Sequence, residues 1–458
     1  MASAGESEGD RHEPSLDGLT KVNENGIIQC GTDVLIKLEE LGKLPTFLTK
    51  LALKPVRFGS VCSGLEVFTM CLRALAMSWA MLPEGTVPKI EILHEFSVEI
   101  DADKRALCKQ ISPNVKHVYS DACDLAYRPS WDDIEEKYTT PGPVDIVAAG
   151  FSCKDLSWIK NKSMVKFSGT SGTSIKTFSA TVEIADAVST AIIILENVKG
   201  LLAARKCDGG RRPIDLVEEQ LRQRGYVGAH RLAKSFAFGV PQRRSRIWLI
   251  FFKVGFGDGV EAIGYMRLFE RRAGPLHVHL ISGTVLLKKK STARVGDSWP
   301  KKCRAFAQAK GLKWRDVTAI KKLLAKDNTE FAKMTPRVQT NLAATLLDIK
   351  QNKKIDTTHT PVVIQADQDV PRQPWAKRMC PCITPRGAFW LASGPTSTHR
   401  FLDPRELASL QGVGPNEVAH FNLEHIPPLL LKDLAGNAFT GPVCMAAVVS
   451  SFLAWKRA

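Results

Sequence analysis

Two predicted strand ends in the first half of the chain carry side chains that could react together. An apolar run, residues 144–150, leads into a polar loop that holds Cys153, and a second run, residues 191–195, ends at Glu196. Both runs predict buried parallel strands, whose carboxyl ends meet at one edge of an open α/β sheet. A thiol and a carboxylate placed there suit attack on an electron-poor ring, because the thiolate adds while the acid protonates a ring nitrogen.

A pair of arginines begins a strongly apolar predicted strand at residues 244–251. Arg244 and Arg246 are two residues apart and therefore share one face of that strand. Burying an arginine without a partner costs much free energy, so both side chains need anionic or hydrogen-bonding partners. Each candidate also has a purely structural interpretation: a lone cysteine after a strand often packs in a core, and paired arginines can form a salt-bridged strand edge. The occurrence of all these groups in one chain, each at the start or end of a predicted strand, favours the catalytic interpretation.

The elements before Cys153 predict a site for a nucleotide-like cofactor. Residues 56–62 predict a strand that breaks at Gly64 before a helix begins, the usual seat of such a cofactor. The next two predicted strands are followed by acids, Glu99 and Asp121. An acid after the second strand can accept hydrogen bonds from both ribose hydroxyls. Because no Gly-x-Gly-x-x-Gly motif is present, the arrangement favours S-adenosylmethionine over a dinucleotide.

Most of the excess positive charge lies in one segment. The 458 residues carry a net charge of +16, and the segment 267–354 holds 21 Lys/Arg against 6 Asp/Glu, a net +15. Such a segment is typical of a protein with a polyanion partner, although a disordered or nuclear-targeting insert is the alternative. Lys288, Lys289 and Lys290 form a weak import signal. We predict a disordered tail at 1–30, a catalytic domain at 31–254 and 376–458, and a basic domain at 255–375 that faces nucleic acid.

Composition argues against several classes of protein. No run of about 18 apolar residues is present, so no transmembrane helix is expected. The first residues match neither a secretory signal nor a transit peptide. Eleven cysteines form no CxxC pair and no disulfide framework, so we expect reduced, intracellular thiols and no metal site.

Taken in order, these motifs resemble the cytosine-C5 DNA methyltransferase family over two blocks, roughly 55–252 and 380–455. Glu196-Asn197-Val198 is identical to the family's Glu-Asn-Val, and Gln242-x-Arg244-x-Arg246 matches its Gln-x-Arg-x-Arg. Cys153 falls at the position of the family's nucleophile, in its Pro-Cys-Gln motif. The remaining matches are Gly64 in the cofactor turn, Glu99 at the ribose acid, Asp121 at the adenine contact, and Arg405-Glu406 and Gly436-Asn437 in the last two motifs.

Four positions depart from the family's pattern. Ser152 stands where the family has the proline before the nucleophile, and Lys154 replaces the following glutamine. Cys62 replaces the phenylalanine of the cofactor turn, and Glu66 replaces its second glycine. These changes predict a cofactor edge crowded by the glutamate and a looser nucleophile loop.

The resemblance implies an α/β, Rossmann-like methyltransferase domain interrupted by a smaller basic target-recognition domain. It implies methyl transfer from S-adenosylmethionine to C5 of a cytosine flipped out of DNA, and hence a nuclear location. Cys153 would add to C6 and Glu196 would act at N3, while Arg246, helped by Arg244, would grip the base oxygen. The implied cofactor contacts are Cys62, Gly64, Glu99, Asp121 and Asn437, and the implied substrate contacts are Lys154, Ser157 and Gln242.

Three other functions are compatible with parts of this pattern. The tRNA-directed branch of the same family is one, although its Cys-Phe-Thr tripeptide is absent. A catalytically inactive DNA-binding or cofactor-sensing regulator is the second, because of the altered motifs. A small-molecule methyltransferase is the third, although it has no use for the basic segment. A bacterial or organellar home is the alternative to the nucleus.

Overall fold

The computed structural model describes residues 26–62, 64–82, 90–156, 167, 169, 172–273 and 298–457. Ser157, the lysines at 288–290 and most of the loop at 158–171 lie outside these residues. The first ten strands are β1 Val56–Val61, β2 Ile92–Val98, β3 His117–Tyr119, β4 Ser130–Asp132, β5 Lys137–Thr139, β6 Ile146–Ala149, β7 Ile192–Val198, β8 Tyr226–Lys234, β9 Gln242–Arg243 and β10 Ser245–Lys253.

Nine of these strands form one sheet, in the order β5-β4-β3-β2-β1-β6-β7-β10-β8. The five central strands, from β3 to β7, are parallel. Strands β10 and β8 extend the sheet antiparallel on one side, as β4 and β5 do on the other. The strand order reverses between β1 and β6, and open α/β sheets bind ligands at such a switch point, outside the carboxyl ends of the strands. The predicted α/β class is confirmed.

Helices pack on both faces of the large sheet. They are α1 Ile27–Glu40, α2 Leu44–Ala52, α3 Val67–Ala80, α4 Ala102–Ile111, α5 Ala122–Leu125, α6 Thr173–Ala187, α7 Pro213–Gln223 and α8 Gly259–Tyr265. One core includes α1, α2 and α3, and the other includes α6 and α7. Helix α1 begins inside the predicted tail, because Ile27 and Cys30 are buried and the Ile27 N–H donates to Gly412 O over 2.8 Å.

A second, smaller sheet carries its own helices. The helices are α9 Ser298–Ala309, α10 Trp314–Asp327, α11 Thr329–Ala332 and α12 Pro336–Gln351, and the strands are β11 Val362–Gln365, β12 Trp375–Lys377, β13 Cys380–Pro381, β14 Phe389–Ala392 and β15 Arg400–Phe401. Four of these strands pair in the order β12-β11-β14-β15, whereas β13 pairs with β9. A core of side chains from α10, α11 and α12 packs on the small sheet.

The nine-stranded sheet and its helices form a large body, and the four-stranded sheet and its helices form a small body. The predicted domain boundaries at 254/255 and 375/376 do not coincide with the limits of these two bodies. Helix α8 belongs to the large body, where Ala262 is fully buried. Strand β14 belongs to the small sheet, yet its side chains alternate: Trp390 joins the small core and Leu391 the large one. The predicted boundaries were drawn from the distribution of charge, whereas the actual limits of the two bodies are set by strand pairing and by side-chain burial.

The last four helices return to the large body. They are α13 Pro404–Ser409, α14 Pro415–His420, α15 Pro428–Asn437 and α16 Gly441–Ala454. Asp403 caps α13, because its carboxylate accepts from the Arg405 N–H over 2.8 Å. Residues 438–440 separate α15 from α16. Within the described ranges, no helix alone is long and apolar enough to cross a membrane; α15 and α16 pass that test only together, across a 46° bend.

Candidate active site

One cavity of about 320 Å³ lies at the switch point of the large sheet. It is lined from the turn after β1, the ends of β2, β3, β6 and β7, the start of β10, and the end of α15. Ten of the predicted site residues line it: Cys62, Gly64, Glu99, Asp121, Cys153, Lys154, Glu196, Arg244, Arg246 and Asn437. Gln242 is not among the lining residues, and Ser157 lies outside the described part of the chain.

Glu196, which is buried, and Arg246, which is partly buried, form an ion pair at one end of the cavity. Arg246 Nε lies 3.0 Å from Glu196 Oε1. The strand register explains this contact: β10 runs antiparallel to β7, with Trp248 opposite Glu196 and Arg246 opposite Val198, so the two side chains are diagonal neighbours. Arg246 Nη1 also donates to the Cys382 thiol over 3.8 Å, a neighbour that sequence reasoning missed.

Burial and charge together set the protonation of the reacting groups. Burial raises the pKa of Glu196, against the lowering influence of Arg246 and then Arg244. Burial also raises the pKa of the Cys153 thiol, which Arg246 lowers and Glu196 raises. A carboxyl group with a raised pKa keeps its proton closer to neutral pH and can therefore act as a general acid. The thiol needs help to ionise, and Arg246 is the strongest such influence.

Asn197, the middle residue of Glu-Asn-Val, supports the nucleophile loop. Its side-chain amide donates to Phe151 O over 2.8 Å, and its side-chain oxygen accepts from the Val198 N–H over 2.8 Å. Both Phe151 and Asn197 are buried. Asn197 thus ties the end of β7 to the loop that carries Cys153, and it fixes the distance between the two strand ends.

The other end of the cavity is lined by the turn that contains Gly64 and by two acidic side chains, Glu99 and Asp121. The Gly64 N–H donates to Glu99 Oε2 over 2.9 Å, and the Asp101 N–H donates to Glu99 Oε1 over 3.1 Å. Gly64 has φ +55, a conformation that glycine adopts at little cost. Asp121 caps α5 by accepting from the Cys123 N–H over 2.8 Å. These contacts hold the predicted acids at the cavity wall.

Sequence reasoning missed two features of the cavity rim. Ile100 lines the cavity with 74% of its surface exposed, and the only signal was an apolar residue directly after Glu99. Lys104 also lines the cavity, and its ammonium lies 2.7 Å from Asp433 Oδ2. Asp433 accepts from the Asn437 side chain as well, over 3.2 Å, so α4 and α15 are joined across the rim. No local sequence pattern links residues so far apart.

The predicted crowding by Glu66 is wrong. Glu66 is 1% exposed and does not line the cavity. Its carboxylate accepts from Ser97 Oγ over 2.7 Å and from the Thr69 hydroxyl, inside the packing of β1, β2 and α3. Burial acts to raise the pKa of Glu66, but His94 and hydrogen bonds from Thr69, Ser97 and Cys108 outweigh it and lower that pKa. The side chain that replaces the family's glycine therefore points away from the cofactor end.

A sequence profile of the family described as C-5 cytosine-specific DNA methylase matches residues 89–450. The chain belongs to this family. It is 24% identical over 432 residues to a DNA (cytosine-5-)-methyltransferase DMT5 of Cryptococcus neoformans var. grubii, covering 87% of this chain and 17% of that protein. It is 30% identical over 156 residues to the type II methyltransferase M.MspI of a Moraxella species, covering 34% and 35% of the two chains.

The solved structure of the S. pombe Dnmt2 methyltransferase is similar at 14% identity, with a TM-score of 0.44. The match covers 86% of this chain and 98% of that one. The chain thus spans about a sixth and a third of the lengths of the DMT5 and M.MspI relatives.

Gln242 and Arg244 both bond to the backbone of the second sequence block. Gln242 is fully buried; its amide donates to Leu410 O over 2.6 Å and accepts from the Ile383 N–H over 3.4 Å. Arg244 is 2% exposed and donates to Ile383 O, Gly436 O and Ala438 O. These bonds join the two sequence blocks. Gln242 does not line the cavity, whereas Arg244 lines it together with Arg246.

Gly436 shows the same close approach of the chain's two sequence blocks. A Cβ atom there would lie 2.1 Å from the backbone nitrogen of Pro385, so only glycine fits. Within the described ranges, no group of three or more His, Cys, Asp or Glu side chains is placed to hold a metal ion.

Proposed function

We propose that this protein transfers a methyl group from S-adenosylmethionine to C5 of cytosine in DNA. The observation that carries the proposal is the shared cavity: a nucleophile, an acid and a cation lie at one end, and two carboxylates lie at the other. A single cavity with these two ends suits a reaction between a ring that must be activated and a nucleoside-like methyl donor.

The residues at the acidic end fit S-adenosylmethionine. Glu99 would accept from the ribose hydroxyls, and Asp121 would accept from the adenine amino group. Ile100 offers an exposed apolar surface to the adenine face. Cys62, Gly64 and Asn437 would complete the wall around the cofactor. When bound, the cofactor supplies an electrophilic methyl group, and the two carboxylates also suit its positive charge.

The chain's own residues activate the base in this mechanism. The cytosine leaves the DNA stack so that its ring reaches the cavity. Cys153 loses its proton, and a sulfur electron pair forms a bond to C6 while the ring electrons move toward C5 and N3. Glu196 donates its proton to N3, and Arg246 orients Glu196 and donates to the base oxygen. After methylation, a base removes the C5 proton and the C5–H electron pair forms the C5=C6 double bond. The S–C6 bond breaks with its electron pair leaving on sulfur, which regenerates the Cys153 thiolate, and Glu196 recovers the N3 proton.

The small body provides a basic surface for the DNA. Eight exposed Lys and Arg side chains lie on α9, α10 and the turn between them: Lys301, Lys302, Arg304, Lys310, Lys313, Arg315, Lys322 and Lys326. Such a surface neutralises phosphates and suits a target-recognition role. Exposed Lys154 at the cavity is placed for a phosphate beside the flipped base. A nuclear location is proposed from the DNA substrate.

Covalent trapping tests the proposal. The protein is incubated with S-adenosylmethionine and a duplex containing 5-fluorocytosine, which blocks release, and separated on a denaturing gel. We expect a shifted band with wild-type protein and none with Cys153→Ser, while both bind DNA. No band in any DNA context, with DNA binding retained, would favour the inactive regulator. A band with fluorocytosine-containing tRNA alone would move the substrate to RNA.

A further inference from the structure

The loop that carries Cys153 is bound to the first two turns of α6. The Ser152 N–H donates to Thr177 Oγ1 over 3.0 Å. Two residues past Cys153, the Asp155 N–H donates to Ser174 Oγ over 3.1 Å, and the Ser174 N–H donates to Asp155 Oδ2 over 2.8 Å. Cys153 therefore lies between two anchor points on one helix.

The contact at Ser152 exists because of a departure from the family's pattern. Proline at this position would fix φ and carry no N–H. Serine restores both the freedom of the backbone and a donor, and a donor at a cavity wall requires a partner. The hydroxyl hydrogen of Thr177 is directed to Thr173 O or Ser174 O, at 3.0 and 3.2 Å. Its oxygen lone pair is thus left facing Ser152, so the hydroxyl serves as a fixed acceptor.

We propose that Thr177 is a positioning residue for Cys153, and that its hydroxyl replaces the constraint which proline imposes elsewhere in the family. This inference rests on the proposed methyl transfer through Cys153. The predicted looser loop is thereby compensated: Asn197 holds Phe151 O on one side, and Thr177 holds the Ser152 N–H on the other. With an anchor on each side of Cys153, the loop is held in a fixed position, as a catalytic nucleophile requires.

The test is a double-mutant cycle between Thr177 and Ser152. Thr177→Val keeps the shape of the side chain but removes the acceptor. We expect kcat to fall about tenfold, with the KM values for DNA and cofactor little changed. A misplacement of reacting groups by 1 Å costs about a hundredfold in rate, and the loss of one of the two loop anchors should displace Cys153 by less than that. Thr177→Ser should restore most of the rate. In a Ser152→Pro background the same Thr177→Val change should cost far less, because proline has no N–H to leave unpaired.

A matched control separates positioning from helix stability. Thr181 lies one turn further along α6, is fully buried and donates to Thr177 O over 2.8 Å. Its side chain makes no hydrogen bond to the described part of the loop, residues 150–156. Thr181→Val should lower the thermal midpoint by an amount similar to that of Thr177→Val, without the fall in kcat. Equal kcat losses in the two variants, or an equal loss from Thr177→Val in the serine and proline backgrounds, would overturn the inference.

A second readout does not depend on methyl transfer. Alkylation of Cys153 by iodoacetamide, followed by peptide mass spectrometry, should become faster in Thr177→Val and not in Thr181→Val, because the loop is released. An unchanged rate would contradict the positioning role even if the wild-type protein transferred no methyl group. Conversely, if Thr177→Val alone speeds alkylation but the wild-type protein forms no adduct with fluorocytosine DNA, the proposed function is refuted and the positioning role of Thr177 stands.

Discussion

Arg246 lies between two groups whose protonation must change during the proposed reaction. It pairs with Glu196 and is the strongest influence that lowers the pKa of Cys153, against burial, which raises it. One partly buried cation thus acts on both the nucleophile and the acid. Lysine at this position would supply a point charge but not the fork of donors that reaches both Glu196 and Cys382.

The raised pKa of Cys153 predicts an alkaline reactivity profile. Because the thiol ionises above the ordinary cysteine range of about 8.5, its alkylation rate should still be rising beyond that pH. In Arg246→Ala the profile should move to still higher pH, since the main opposing cation is lost. Arg243→Ala is the control, because Arg243 is exposed. A plateau near neutral pH in the wild-type protein would contradict this prediction.

Glu66 should contribute to stability in a pH-dependent way. Its pKa is lowered in the folded protein, so the ionised form stabilises the fold above the ordinary glutamate value of about 4.3, and this contribution is lost as pH falls through the folded-state pKa. Urea denaturation should show Glu66→Gln less stable than wild type at pH 7, with the gap closing in acid. Exposed Glu91→Gln should show no such closing gap. A gap independent of pH would refute the ionic contribution.

At the scale of elements, local patterns predicted the strands that carry the chemistry. Uninterrupted apolar runs such as residues 192–195 identify buried parallel strands, and their ends place Cys153 and Glu196 together. The role of Gln242 could not be predicted in this way, because motif spacing does not say which side chains face the cavity. That depends on β9 pairing with β13, where Cys380 lies beside Gln242, a contact between residues far apart in the chain.

Arg244 should matter more for stability than for the chemistry. Its donors satisfy three backbone carbonyls that bring the last block of the chain onto β9 and β10. Arg244→Met would leave those carbonyls unpaired, and we expect the free energy of unfolding to fall by about 3 kcal/mol. Arg243→Met, one residue earlier and exposed, should change it by less than about 0.5 kcal/mol. Chemical denaturation measures both, and equal effects would contradict the structural role.

At the scale of the whole molecule, the cavity belongs to the large body and the basic helices to the small one. The two are joined through β14, whose side chains enter both cores. The total charge pattern predicted a nucleic-acid surface, but it could not locate the boundaries, because residues from 255 pack on the large sheet while β14 and β15 complete the small one. Charge describes a surface, whereas a boundary depends on which backbone groups pair.

The salt dependence of DNA affinity tests whether the small body binds the DNA phosphates. If α10 contacts phosphates, reversing the charge of Lys322 and Lys326 together should weaken DNA binding and reduce the slope of log K against log salt by about 0.9 for each lost phosphate contact. Lys137, exposed on β5, provides the control: Lys137→Glu should leave the slope unchanged. Because Lys322 and Lys326 do not line the cavity, adduct formation at saturating DNA should survive in the double variant. An unchanged slope would move the DNA surface away from α10, whereas lost adduct formation at saturating DNA would show that this helix also governs the cavity.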